Sequence, residues 1–357
     1  MPGGAAPGTR VSGTTASVWT VSAAIVFEHV RKEYGGRPAV ADLSLQVEEH
    51  ELLVLVGASG CGKSTTLRMA NRLVEPTSGR IWLSGEDVTH VDPVALRRRI
   101  GYVIQGVGLF PHRTVAQNVA TVPALEGWDR PRTAVRVAEL LDLVGLDPDT
   151  YGRRYPHELS GGERQRVGVA RALGVDPPVL LTDEPFGAVD QVGRQRLQDE
   201  FLALQRRLGT TVMLVTHDID EAVRMADRVA VLSPGAHLEQ LATPLEIVAR
   251  PATPAVADLV GRGKVARLLS LGRLERADLD GASGDPVTGA AVESPVRLGD
   301  ELGEVLAALL GEQDGGRTAV EVDVLDEAGR HVGRLDAATV LRALHRLTVD
   351  GLGTLGP

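Results

Sequence analysis

The chain has 357 residues, of which 43% are hydrophobic, 24% charged and 3% aromatic, and it carries a formal net charge of −9. That length exceeds what one hydrophobic core usually covers and predicts at least two domains; the acidic balance argues against broad, nonspecific attraction to nucleic acid or anionic lipid. The single cysteine, Cys61, excludes an internal disulfide and a cysteine metal cluster, as suits a reducing cytoplasm, and no apolar run reaches the roughly 18 residues of a membrane span.

Residues 1–24 are small and polar with one Arg, lack a charged start followed by an apolar run, and read as a disordered extension rather than a signal peptide. "IVFEHVRKEY" and "AVADLSLQVEEHELLVLVG" read as strands, and Leu52 to Val56 is apolar enough to be buried on both faces. "GASGCGKST", Gly57 to Thr65, then fits the P-loop pattern in the required context, with a buried strand before it and a helix predicted over Lys63 to Leu73 after it. Gly57, Gly60 and Gly62 let backbone N–H groups turn inward on phosphate oxygens, and Ser59, Cys61 and Thr65 belong to the same turn. Lys63, one of only three lysines, supplies a point charge for the terminal phosphates, and the Ser64 hydroxyl suits Mg²⁺.

From about 94 to 173 the pattern is mainly helical, interrupted by the strand-like "IGYVI", after which Gln105 stands where it can sense the γ-phosphate and its metal. "YPHELSGGERQRVGVARAL" places Ser160, Gly161 and Gly162 at a second glycine-rich helix start, whose free N–H groups favour an anion. "LLTDEP" ends an apolar strand in two acids: Asp183 suits Mg²⁺, and Glu184, turned to another side, suits acceptance of a proton from attacking water. A polar helix near 190–208 separates it from "TVMLVTHD", whose His217 stands at a strand end. Strands alternating with helices predict a parallel sheet covered on both faces, with 94–173 inserted as a helical lobe. Beyond Gly261 the chain holds 11 basic and 16 acidic residues; "GDPVTG" reads as a loop, and "TAVEVDVLDEAGRHVGRLDAATVLRALHRL" as strand, turn, strand and helix of a separate small domain.

In this order the motifs resemble the ATPase subunits of ABC transporters over about residues 25–260. The resemblance implies an α/β P-loop NTPase fold: a RecA-like parallel sheet core, an antiparallel β subdomain and an inserted helical subdomain over about 94–173. By the same resemblance Tyr34 stacks on adenine; Ser64, Gln105 and Asp183 hold Mg²⁺; Glu184, His217 and Gln105 serve hydrolysis. Ser160, Gly161, Gly162 and Glu163 cap the ATP held on the P-loop of an opposite copy, and Asp190 in "GAVD" links the two sites. One P-loop and one signature turn per chain thus imply a head-to-tail homodimer with two sandwiched ATPs. Two positions depart from the family pattern: Glu163 stands where Gln is usual, adding negative charge near a triphosphate, and Gly187-Ala188-Val189-Asp190 replaces the frequent Ser-Ala-Leu-Asp; hydrolysis is expected to survive both.

Within that family, "IGYVIQGVGLFPHRTVAQNVATVPALEGWDR" and "LLDLVGLDPDTYGRRYPHELSGGERQRVGV" are similar to importer ATPases for glycine betaine, choline and carnitine, which implies integral membrane permease subunits as direct partners, a solute-binding protein as an indirect one, no nucleic acid, and a cytoplasmic place on the inner face of the membrane. Residues 261–357 resemble one CBS module, a small α+β regulatory fold. Asp336 and Thr339 reverse the ribose-binding order of that fold, so dimerisation or a response to ionic strength is expected of it rather than nucleotide sensing. The alternatives are an ATPase of another ABC importer, of the methionine, amino acid or phosphate type, and a non-transport ABC ATPase, for which the long coiled-coil insertion or tandem unit is missing; a small-molecule kinase leaves "LSGGE" and His217 unexplained.

Overall fold

Two strand-rich layers and a helical lobe share residues 23–260, and alternation along the strands of one sheet separates their cores. The computed structural model describes residues 23–349, apart from 107, 188, 190, 280–295, 311, 314–316 and 319–321. β1 (Ala23–Tyr34) and β2 (Arg37–Glu48) pair antiparallel; with β4 (Ser78–Leu83) and β5 (Glu86–Asp87) they form a four-stranded sheet in the order β2-β1-β4-β5. β1 begins at Ala23, so the last two residues of the span read as an extension are strand.

The second sheet has the order β10-β9-β3-β8-β7-β6, formed by β3 (Leu52–Val56), β6 (Ile100–Val103), β7 (Val179–Asp183), β8 (Thr211–Thr216), β9 (Arg228–Ser233) and β10 (His237–Ala242). All of its neighbouring pairs are parallel except β9 with β10. Because successive side chains point to opposite faces, Leu52, Val54 and Val56 of β3 join one core cluster with Val212 and Leu214 of β8, while Leu53 and Leu55 join another with Met213 and Val215. An uninterrupted apolar strand is what a doubly covered sheet requires.

One face is covered by the antiparallel sheet, α1 (Lys63–Ala70) and α2 (Pro93–Arg98), which contribute Leu67, Met69 and Leu96 to its cluster. α1 stops three residues short of the predicted Leu73: Arg72 takes a φ of +52°, and the N–H groups of Leu73 and Val74 turn back to the Arg68 carbonyl. The other face receives the helical lobe, with α3 (Val115–Val119), α4 (Thr121–Leu125), α5 (Arg130–Leu143), α6 (Pro148–Tyr151) and α7 (Gly161–Ala172). The span 94–173 is therefore not wholly an insertion, since β6 lies within it and pairs with β7. α8 (Gln191–Leu208), α9 (Ile219–Met225), α10 (Pro244–Ala249) and α11 (Pro254–Val260) complete that side.

α12 (Lys264–Leu271) leads into the tail, yet its Leu268 is buried in the core of the larger unit. The tail contains β11 (Val296–Arg297), α13 (Leu302–Leu310), β12 (Glu312–Gln313), β13 (Arg317–Thr318), β14 (Val322–Leu325), β15 (His331–Leu335) and α14 (Ala337–Val349). β11 is parallel to β14, β14 is antiparallel to β15, and Leu302, Val305, Val324, Leu335 and Ala343 close a third core. The "GDPVTG" loop lies outside the described residues. Asp336 and Thr339 have a structural duty here: the Asp336 carboxylate accepts from the Thr339 N–H at 2.8 Å and its hydroxyl at 2.9 Å, capping α14.

Candidate nucleotide site

Four consecutive strands of the parallel sheet, β3, β8, β7 and β6, deliver the predicted chemistry at their C-terminal ends, the usual place for a ligand on an open α/β sheet. The loop after β3 needs glycine for room. A Cβ on Gly57 would lie 2.1 Å from the Leu232 carbonyl oxygen of β9, and one on Gly62, at φ +113°, would lie 2.5 Å from the Ala39 carbonyl oxygen. The Lys63 ammonium is buried against its own loop, donating to the Gly57 carbonyl at 2.7 Å and the Ala58 carbonyl at 2.9 Å. It caps a ring of main chain that begins at Gly57 and ends at the start of α1. Cys61 is buried and free, with its sulfur 3.7 Å from that ammonium.

At the end of β7, Asp183 is buried and accepts from the Ser64 hydroxyl at 2.9 Å. Arg68, one turn further along α1, approaches its other oxygen at 3.6 Å; nothing in the sequence motifs announces that contact. Two hard oxygen donors beside a phosphate cradle suit Mg²⁺, which takes one or two protein oxygens and completes its shell with water and substrate phosphates. Among the described residues no cluster of three His, Cys, Asp or Glu offers an all-protein metal cage.

Glu184 follows at φ +46°, a sparsely populated region for a residue with a side chain. Its carboxylate is held from two sides: the Gln105 amide donates to Oε2 at 3.1 Å, and His217 Nδ1 lies 3.2 Å from Oε1. Three residues read separately from the sequence thus converge on one carboxylate. The His217 ring is largely exposed, so its other nitrogen is open to solvent.

Ser160 opens α7 as its N-cap and forms a reciprocal box with Glu163: the Glu163 N–H donates to the Ser160 hydroxyl at 3.3 Å, and the Ser160 N–H donates to Glu163 Oε2 at 2.7 Å. The Tyr151 hydroxyl donates to Oε1 at 2.8 Å. The Ser160 N–H above all, then the Ser160 and Tyr151 hydroxyls, hold the Glu163 carboxyl below the ordinary range, and the hydrogen bond to Glu163, with its charge, raises the Tyr151 hydroxyl in turn. Both Glu163 oxygens are thus engaged locally, an arrangement the expectation of a bare charge beside the triphosphate did not include. Gly161 and Gly162 form the first turn of α7. Tyr34 ends β1 as an exposed ring with the Lys32 ammonium 5.0 Å from its centroid. Asp190 lies outside the described residues.

A glycine-built cradle at a helix start, with an acid pair and a strand-end histidine on neighbouring parallel strands, defines the P-loop nucleotide-binding class. Residues 40–187 match the family model described as "ABC transporter". The chain is 51% identical to the glycine betaine uptake system ATP-binding protein YehX of Escherichia coli, over 71% of its own length and 84% of that protein; it is therefore a member of the ABC transporter ATP-binding family. It is also 50% identical to the osmoprotectant import ATP-binding protein OsmV of Salmonella typhimurium, over 69% of this chain but only 66% of OsmV, just under two thirds of that protein's length. The fold is similar to the dimeric ATP-binding cassette MJ0796 bound to ADP and Pi, at 29% identity and a TM-score of 0.55, covering 62% of this chain and 98% of that one.

Proposed function

We propose that this chain is the ATP-hydrolysing subunit of an importer for a small quaternary-amine osmoprotectant such as glycine betaine, choline or carnitine. The observation that supports hydrolysis best is the placement of Glu184 between Gln105 and His217, next to the Ser64–Asp183 pair. Glu184 accepts the proton of the attacking water, and the two neighbours fix the direction in which its carboxylate faces. Lys63 leaves its loop carbonyls for the phosphates, exchanging two neutral acceptors for charged ones. Ser64 and Asp183 would hold Mg²⁺, which when bound neutralises charge on the phosphates.

The turn Ser160–Gly162 cannot serve the P-loop of its own chain if the family's head-to-tail arrangement holds, so ATP is gripped between two copies, with Tyr34 on the adenine and Asp190 between the sites. Permease subunits and, through them, a solute-binding protein complete the assembly, with this chain on the cytoplasmic face of the membrane; no helix among the described residues is long and apolar enough to cross a membrane itself. The names of the relatives support the solute class, and residues 261–357 serve as a regulatory appendage. The test is Glu184→Gln in the full chain: MgATP affinity should stay within about twofold while hydrolysis falls by about 100-fold or more. Undiminished turnover would remove Glu184 from the reaction. Uptake of radiolabelled glycine betaine at high osmolarity, with and without this subunit, tests the solute.

A further inference from the structure

Two side chains of opposite charge near His217 each keep one buried polar atom without a partner among the described residues, while their other atoms are attached to different segments of the site. Arg194, in the first turns of α8, donates through Nη2 to the Val189 carbonyl at 3.2 Å and lies 3.7 Å through Nη1 from Asp218 Oδ2, yet its Nε is buried with no acceptor among the described residues. Glu221 of α9 is only 6% exposed; its Oε2 accepts from the Thr216 hydroxyl at 2.8 Å, while Oε1 is buried with no donor. The same Thr216 hydroxyl accepts from the Asp218 N–H at 3.0 Å. His217 is therefore bracketed by a hydroxyl that leans on Glu221 and a carboxylate that leans on Arg194.

We propose that Arg194 and Glu221 are positioning residues for His217, forming an ion pair through Arg194 Nε and Glu221 Oε1 that ties Val189 to segment 216–218. In the state described, Arg194 is committed to Val189 and Asp218, and Glu221 stands unpaired. Glu221 already lies within the field of Arg194, and a reorientation of the guanidinium toward it would give each orphan atom its complement. Because Arg194 also holds the Val189 carbonyl, displacement of Val189 is transmitted to the histidine segment without either residue touching nucleotide.

The charge balance around Glu221 fits that role. Burial pushes its carboxyl up to about 7, with Asp218 adding to the rise and the Thr216 hydroxyl, Arg194 and His217 opposing it. Asp218 and His217 belong to the loop before α9, and Arg194 to α8; these are the charged groups in its field. Below that range the carboxyl is neutral and makes no salt link; above it the ionised form pairs with Arg194.

The inference rests on the ATPase reading above, and the pH profile separates the two. In the full chain, kcat of the parent and of Glu221→Gln should converge toward about pH 6, where both side chains are neutral amide- or acid-like groups, and diverge above about pH 7, the variant being slower by about threefold or more near pH 8.5. KM for ATP should stay unchanged, since neither residue binds it. Arg194→Met should abolish the divergence, so that adding Glu221→Gln to it changes nothing at any pH. Parallel profiles for parent and Glu221→Gln, or a divergence that persists in the Arg194→Met background, overturn the proposal while leaving the ATPase reading intact. No MgATP turnover by the parent chain at any pH overturns both.

Discussion

At the scale of single residues the site depends on backbone room as much as on charge. Gly57 shows why: its missing Cβ would sit 2.1 Å from a carbonyl oxygen of the neighbouring strand, a group that the sheet's hydrogen bonding prevents from moving aside. Gly57→Ala should therefore cost about 3 kcal/mol of stability, at the upper end of overpacking penalties, and displace the loop enough that MgATP binding drops below detection. Urea unfolding and nucleotide titration check the two halves; a variant within about 1 kcal/mol of the parent would mean that β9 yields, and the steric account of this glycine would fail. Lys63 follows the same logic in reverse. Its ammonium already occupies the interior of the loop, so the charge is in place before any phosphate arrives, and binding costs a change of partners rather than the ordering of a free side chain.

The element scale is where local sequence signals are decisive and where they end. The capping box at the start of α7 was half-visible in "SGGE", since Ser followed three residues later by Glu is a helix-start pattern; what that spacing does not reveal is the Tyr151 hydroxyl on the second oxygen. Glu163→Ala should lower stability by about 1 kcal/mol, as lost caps do, whereas Glu163→Gln, which can still accept from the Ser160 N–H, should lose only part of that near neutral pH and approach the parent as pH falls. The sign with pH follows from the lowered carboxyl: the Glu163 contribution is present above the ordinary Glu range and is lost as pH falls through its depressed folded value, so parent and Glu163→Gln should be compared by thermal melts from about pH 7 down to about pH 3. A parent curve that does not steepen relative to the Gln variant on acidification would contradict the box. The same contrast runs through the fold. The P-loop, the acid pair and the strand-end histidine were legible because each is defined by neighbours in sequence, with glycines and apolar runs that only one local structure satisfies. Arg68 on Asp183, and Arg194 beside Asp218, were not legible, because those groups are brought together by packing across the sheet, and an arginine on a polar helix carries no sign of which distant acid it will face. The overreach of the predicted first helix to Leu73 has a local cause instead: Arg72 adopts a left-handed backbone that its residue type does not announce.

For the whole molecule the question is whether the tail folds as a unit apart from the nucleotide-binding body. A composition change at Gly261 suggested a clean boundary, but α12, which begins just beyond it, packs back on the larger body: Leu268 is buried in the larger core, Arg267 pairs with Asp220 at 2.6 Å, and Lys264 donates to the Ala249 carbonyl at 3.0 Å. The tail's own stability is concentrated elsewhere, at Asp278. This carboxylate is 2% exposed and is gripped by Arg346 of α14 through two bonds of 2.7 and 2.9 Å, and it also accepts from the Glu275 N–H at 2.8 Å. Removing one partner of such a buried pair leaves an uncompensated charge and costs about 3–5 kcal/mol. Arg346→Ala should therefore split thermal unfolding into two transitions, the first lowered by about 10 °C or more and belonging to the tail. Saturating MgATP should raise only the second, because ligand stabilises the unit that binds it. The pairing of α12 with α9 sets the alternative outcome: if melting stays a single transition that nucleotide shifts in full, the tail has no independent stability, and the Arg346 clamp acts on the whole chain through α12 rather than on a separate domain.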